Sequence, residues 1–402
     1  MMFSKVPTLA IEIIELISTF LEPADLRSLR LVCRELNSKT LHYFGLANFA
    51  TVQTNLSRKS LQRLQNISES EHLAVHVQCL HIKHTDDGKL GRGFDWRRHQ
   101  WNLVADQLDG ADLLRDVLDK RLLKCRSFQI DSYDEYQPRR ETDSLIPSDA
   151  VGIVLSIVAE ADLALRSFTV ESSHDGNGRL DTKRLQMPLS HTPQFIAAWS
   201  HIEELLLDYA MTSDQYGWIL HLISSAPRLW KLSLGFHDMS SLFMKRLSSS
   251  HSLNRLKDLS LRSVHMTVEN ISTLLFNNRE TIHSLSFRHA TIEDGGKWAT
   301  VLENMKGQLP RLENLLLFWL KEQTANRRVI FSKMTRHPVV PGSEDCRPGD
   351  DRLRYDSHLL ESVEEPIRLR YWGGGRRVVG VEYRGTGIDH ILSALADTAE
   401  TV

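Results

Sequence analysis

A six-residue pattern, apolar-x-x-apolar-x-apolar, recurs eight times and restricts the fold more than any other feature of the chain. It reads VQCLHI (Val77, Leu80, Ile82), CRSFQI (Cys125, Phe128, Ile130), LRSFTV (Leu165, Phe168, Val170) and IEELLL (Ile202, Leu205, Leu207). It continues as LWKLSL (Leu229, Leu232, Leu234), LKDLSL (Leu256, Leu259, Leu261), IHSLSF (Ile282, Leu285, Phe287) and LENLLL (Leu312, Leu315, Leu317). The central positions 80, 128, 168, 205, 232, 259, 285 and 315 are 48, 40, 37, 27, 27, 26 and 30 residues apart. Each unit ends apolar, variable, apolar, as does a strand with one buried face. Helical spacing follows in Tyr216–Ser224, Met239–Leu247 and Val268–Asn277. One strand and one helix per unit predict an α/β fold with parallel strands, because a parallel connection needs a crossover.

The later spacings sit in or near the roughly 20 to 29 residues of leucine-rich repeats. The array over 76–332 resembles a degenerate member of that family, lacking the asparagine that usually helps turn the chain after each strand. The resemblance implies an irregular solenoid. In the early, enlarged units, Asp86–Arg98 is expected to be a loop and Gln100–Arg115 a helix. Residues 333–402 complete the chain: a Pro- and Gly-marked loop over Lys333–Asp351, a hairpin from Ile367–Trp372 and Val378–Tyr383 around Gly373 to Gly375, and a helix, Ile388–Ala399. That helix is expected to cap the open end, since an unprotected edge strand templates aggregation.

The N-terminal stretch is helical and too apolar for its size. Ile13, Leu16 and Phe20 form one row at helical spacing and Ile14, Ile17 and Leu21 a second, with Glu12, Glu15 and Thr19 on the other side. Pro23 ends that helix, Asp25 is the expected N-cap of a second, and a short third is expected over Leu36–Phe44. From Leu9 to Phe44, 36 residues carry 16 large apolar or cysteine side chains. A module of about 40 residues without metal or disulfides cannot bury them alone, so it needs a covering surface, either the rest of the chain or another protein.

The opening leucine, Glu12 and Ile13, then Pro23-Ala24-Asp25-Leu26, then Leu29-Arg30-Leu31-Val32-Cys33-Arg34 resemble the F-box, and with the repeat region the chain is similar to fungal-type F-box proteins. Ala10 stands where that family usually has proline. The resemblance implies an all-α F-box over 1–45 and a helical connector over 46–75. It implies docking on a Skp-family adaptor, and through it a cullin-RING ubiquitin ligase, by Leu9, Ala10, Ile13, Ile14, Ile17, Leu21, Leu26, Leu31, Val32 and Cys33. The remainder would then select a target protein. The alternative is a scaffold or anchoring protein of the same build acting outside any ligase.

Composition removes several other classes. Lys+Arg 49 against Asp+Glu 51, a net charge of -2, disfavours a globally basic nucleic-acid binder. Ile11–Leu21 is interrupted by Glu12 and Glu15 and is too short for a membrane span or an uninterrupted signal core. Cys33, Cys79, Cys125 and Cys346 form no CxxC pair and read as reduced thiols of the cytosol or nucleus. His72, His76, His81 and His84 with Cys79 are the one set with metal-ligand chemistry, yet their spacing fits no standard finger, and His81 should point away from the Ile82 face. Gly373-Gly374-Gly375-Arg376-Arg377 lacks the helix that an anion cradle requires. Neither catalytic residues nor a cofactor or metal are therefore expected, and the rival reading is a hydrolase or metalloprotein centred on His76 to His84.

For target binding the informative positions follow each unit's last apolar residue: Lys83, Asp131, Glu171, Asp208, Gly235, Arg262, Arg288 and Phe318. Asp131, Glu171 and Asp208 predict an acidic half, and Arg262 and Arg288, with Phe318 after them, a basic one. A target would lie along this strip with its basic part at the acids and its acidic part, or a phosphate, at the arginines.

Overall fold

Proline sets the first boundary. Glu22, which precedes Pro23, is extended (φ −66, ψ 155), as the ring clash with the preceding residue demands, and Pro23 opens helix α2 at a position whose N–H is dispensable. The computed structural model describes residues 6–84, 89–96, 98–99, 102–103, 109–133, 144–172, 178–185, 190–237, 240–250, 253–323, 327–331, 367–372, 377–385 and 388–402. These form two compact units, residues 1–169 with 181–198, and residues 170–180 with 199–402. Both are mixed α/β and their strands are mostly parallel. No helix among the described residues is long and apolar enough to cross a membrane.

The first unit begins with α1 (Ile11–Thr19), α2 (Pro23–Val32), α3 (Arg34–Lys39) and α4 (Leu41–Phe49). The sequence predicted one helix over Leu36–Phe44, but the chain divides at Thr40, whose hydroxyl donates to the Leu36 carbonyl at 2.7 Å. Asp25 is not the N-cap either. It lies inside the first turn of α2, where a negative charge favours the helix dipole. Gly45 in α4 is required by a close approach, because a Cβ there would run into the His76 ring.

The connector over 46–75 is not purely helical. Strand β1 (Thr51–Thr54) precedes α5 (Arg58–Glu69) and α6 (Glu71–Ala74). β2 (Cys79–Ile82), the two-residue strands β3 (Arg98–His99) and β4 (Asn102–Leu103), α7 (Asp109–Lys120), β5 (Ser127–Ser132), α8 (Pro147–Glu160), β6 (Ser167–Ser172) and α9 (Pro193–Trp199) follow. Thus the helix expected over Gln100–Arg115 is described only from Asp109, and Asn102–Leu103 is strand. β1, β2 and β5 are parallel, with Val52, Leu80 and Phe128 paired in line. Beneath them α8 is apolar almost all round and buried along nearly its whole length, with Asp149 held by Arg184 at 3.3 Å in a fully buried ion pair.

The second unit carries the regular part of the repeat: β7 (Glu204–Met211), α10 (Tyr216–Ser224), β8 (Lys231–Phe236), α11 (Ser241–Ser248), β9 (Asp258–Arg262), β10 (His265–Met266), α12 (Val268–Asn277), β11 (Ser284–Arg288), β12 (Thr291–Ile292), α13 (Trp298–Met305), β13 (Asn314–Phe318) and β14 (Lys321–Glu322). β7, β8, β9, β11 and β13 are parallel, and Leu205, Leu232, Leu259, Leu285 and Leu315 pair with one another across all five. Their side chains make a continuous buried row. After β9, β11 and β13 the chain turns through a left-handed residue, Ser263, His289 and Trp319, with φ 53, 54 and 54. None is glycine or asparagine, so the turn is held against its strain: each N–H donates to a carbonyl of the next strand, Arg288, Phe318 and Val379, at 2.8, 2.8 and 3.0 Å.

The open edge is closed differently from expectation. β15 (Arg327–Phe331) is followed by β16 (Ile367–Trp372) and β17 (Arg377–Arg384), and β17 lies antiparallel on β13 with β16 outside it. The hairpin, rather than the last helix, caps the edge. α14 (Ile388–Thr398) packs on α13, and the chain ends as β18 (Ala399–Thr401), paired with β15 in a second, smaller sheet with β10, β12 and β14. The expected loop over Lys333–Asp351 and the glycines 373 to 375 lie outside the described residues.

Candidate functional site

Two surfaces present functional side chains, one in each unit. On the N-terminal module, Ile14, Leu26 and Leu36 fill the space between the helices. Ile14 and Leu26, candidates for the docking set, are thus fully buried and hold the module together; of the two apolar rows on α1, only one member of the Ile14 row is inside. Leu9, Ala10, Ile13, Ile17, Leu31 and Val32 are exposed, while Leu21 and Cys33 are half-buried. Leu31 and Val32 stand 88% and 69% exposed at the end of α2, and Phe20, absent from the expected set, 82% at the end of α1. Ile11 and Leu16 also face outward. Periodicity could not select between them, because apolar residues on α1 cover more than one face. Lys39 fixes the segment that carries Leu9, since its ammonium donates to the Pro7 and Leu9 carbonyls at 2.6 and 2.8 Å and pairs with Glu35 at 2.7 Å.

In the second unit the solvent side of the sheet forms a groove of about 550 Å³. Three rows cross it in register. The floor runs Leu206, Ser233, Ser260, Ser286, Leu316 and Glu382. On one side of the floor run Glu204, Lys231, Asp258, Ser284, Asn314 and Arg384, and on the other Gly235, Arg262, Arg288, Phe318 and Gly380, of which Arg288 lines the groove. Burial raises the Asp258 carboxyl above its ordinary range, opposed by the Lys231 charge and a Ser284 hydrogen bond. The Ser286 hydroxyl is buried without a hydrogen-bond partner among the described residues. Glu382 takes Arg384 at 2.9 Å and Arg370 at 3.5 Å.

The strip expected to separate into acidic and basic halves does not. Asp131 belongs to the first unit, where its Oδ1 accepts a hydrogen bond from His81 Nε2 at 2.7 Å. Asp208 and Arg262 are paired with each other at 2.5 Å, although their strands are two apart, a span of about 10 Å. Gly235 on the intervening strand makes this possible, because it offers no side chain to block the guanidinium. A Cβ there would come within 2.8 Å of Arg262 Nη2 and of the Tyr209 carbonyl, and 2.9 Å of Asp208 Oδ1. Gly235→Ala should therefore break the pair and cost about 1–3 kcal/mol in thermal melts, as overpacking does. In that background Arg262→Ala should add almost nothing; a full additional loss would show that the pair survives.

Glu171 is half-buried at the groove's acidic end, and Arg288 is exposed with no partner among the described residues. Phe318 is not an open contact residue. It packs with Ile330 and Val379, and Arg370 covers its ring at 5.0 Å. Beside it His289 stacks on Trp319 with ring centres 6.1 Å apart. Burial, and then the Lys321, Arg262, Arg288 and Arg328 charges, hold the His289 imidazole below its ordinary range.

The histidine cluster disperses into separate contacts. His81 meets Asp131, His84 lies edge-on to Tyr133, and His76 packs near His42 and Gly45. Among the described residues there is no group of three or more His, Cys, Asp or Glu that could hold a metal ion. Cys125 is buried in the core, and burial pushes its thiol up to about 12, far from a reactive thiolate. The two surfaces differ in chemistry: exposed apolar side chains on the helical module, and a polar, charged groove on the sheet. Compared with protein-family models and with curated proteins, the chain matches none.

Proposed function

We propose that the chain is the substrate-recognition subunit of a Skp-adaptor, cullin and F-box ubiquitin ligase, built as a short all-α F-box followed by an irregular leucine-rich-repeat-like solenoid. The observation that carries this reading is the exposed apolar face of the first helices, where Phe20, Leu31 and Val32 are open to water. Isolated apolar residues on a surface need no explanation, but Leu9, Ile11, Ile13, Leu16, Ile17, Phe20, Leu31 and Val32 all exposed on so small a module mark a docking surface. The pattern Pro23-Ala24-Asp25-Leu26 with Leu29 to Arg34 supports the adaptor as the protein that covers it. The paired leucine row supports the repeat, and the groove beside it offers polar and charged groups to a target. Such a subunit contributes proximity rather than side-chain chemistry, since it holds the target where a separate enzyme transfers ubiquitin. It works in the cytosol or nucleus.

Ala10 favours a second reading, a scaffold that binds outside any ligase. It precedes α1 without a capping side-chain bond, in the place where the family has proline. Affinity purification of the tagged full-length chain separates the two. Recovery of both adaptor and cullin supports the ligase, adaptor without cullin supports the scaffold, and absence of the adaptor refutes both.

A further inference from the structure

Beside Leu31 the helical module has a second feature, a notch of about 540 Å³ lined by Arg27, Arg30 and Arg34 together with Asn37 and Phe44. No aspartate or glutamate lines it. The Arg30 guanidinium lies 3.6 Å from the centre of the Phe44 ring and its Nε donates to Asn37 Oδ1 at 2.9 Å. The aromatic platform and the amide thus fix the fork, and its outer nitrogens have no other partner among the described residues. Arg27 and Arg34, both exposed, likewise have none. Lys39, by contrast, is paired with Glu35 at 2.7 Å. Three cations facing one concavity repel one another, and an entering anion relieves that repulsion while accepting in-plane hydrogen bonds.

We propose that this notch is a carboxylate-binding pocket that receives an acidic side chain of the protein covering Leu31 and Val32. The inference rests on the reading of the module as an adaptor-docking element, and it specifies what the adaptor must present: an aspartate or glutamate flanked by apolar residues. A protein carboxylate suits the site better than a membrane or nucleic-acid phosphate. The arginines sit against Phe44 and Leu31 in one concavity, and its rim includes the exposed Leu31, next in sequence to the exposed Val32, rather than further cations. Arginine set within an apolar contact is also a common composition of protein interfaces.

The test measures binding of a purified Skp-family adaptor to the full-length chain by calorimetry, in about 50 and 500 mM salt. Compared are the wild type, Arg27→Glu/Arg34→Glu, and the distant control Arg311→Glu, each with its melting temperature recorded. Arg30 is left intact because it packs on Phe44. The double reversal should weaken binding at least about tenfold and flatten the salt dependence, while the control and the melting temperatures stay unchanged. Equal affinity of the wild type and a folded double reversal overturns the pocket and leaves the adaptor reading standing. No adaptor binding by the wild type overturns both. If phosphatidylserine vesicles, and not the adaptor, bind in a manner that depends on Arg27 and Arg34, the ligand is a lipid phosphate and the proposal fails.

Discussion

Leu259→Ala should lower the stability of the second unit by about 2–5 kcal/mol, whereas Arg288→Ala should change it by less than about 0.5 kcal/mol. Leu259 is fully buried and lies between Leu232 and Leu285, which pair with it directly from the strands on either side. Removing its branched end leaves a cavity that the flanking strands cannot close, because their backbones are tied to β9 by the ladder. Arg288 is the last residue of β11, in register with Arg262 and Phe318, and its side chain faces solvent, so its truncation removes charge and little packing. Leu205, Leu232 and Leu285 should each behave like Leu259. Denaturant unfolding of the whole chain, followed through the transition that includes the second unit, decides the matter: comparable losses for Leu259→Ala and Arg288→Ala would mean that the leucine row is not a continuous core.

Val32→Asp should abolish capture of a Skp-family adaptor, weakening binding by more than about a hundredfold, and leave the melting temperature unaltered. In the free chain Val32 is already largely in water, so aspartate there has no desolvation to suffer. In a complex it would be an unpaired charge in a dry contact, which costs several kcal/mol. Ile17→Asp should act the same way. Ile14→Asp gives the opposite separation, because Ile14 is fully buried and its replacement should unfold the module before any partner is involved. Normal binding by folded Val32→Asp and Ile17→Asp proteins would remove the docking face from the first helices. Restoring proline at Ala10 should leave binding unchanged or tighter.

How far these sites could be read from the chain differs with the range of the interactions that build them. The helices Tyr216–Ser224 and Val268–Asn277, the hairpin strands and the leucine register follow from patterns of period 3.6 and 2 contained within a few residues. Burial of one face then has only one register that satisfies it, since a slip by one residue would turn every leucine outward. Pro23 likewise sets its helix start through its own ring geometry.

Thr51–Thr54 carries no such signal. It has one apolar residue in four and becomes a strand only because β2 lies beside it to accept the ladder. Ser263, His289 and Trp319 take a left-handed conformation that their side chains disfavour, held by carbonyls from strands 25 or more residues away. Arg262 finds Asp208 across Gly235 although 54 residues separate the pair along the chain, which cancels the charge separation that a linear reading of the strip suggests. On α1, Ile14 and Ile17 belong to the same apolar row, yet the packing of α2 to α4 buries the first and leaves the second open. The sequence by itself determined which segments are strands and helices in the regular repeats and which leucines form the core, because those choices are made by local periodicity and by the exclusion of water. Only the tertiary structure decided which apolar residues remain for a partner and which charges remain unpaired, because both depend on neighbours that the chain brings together from far apart.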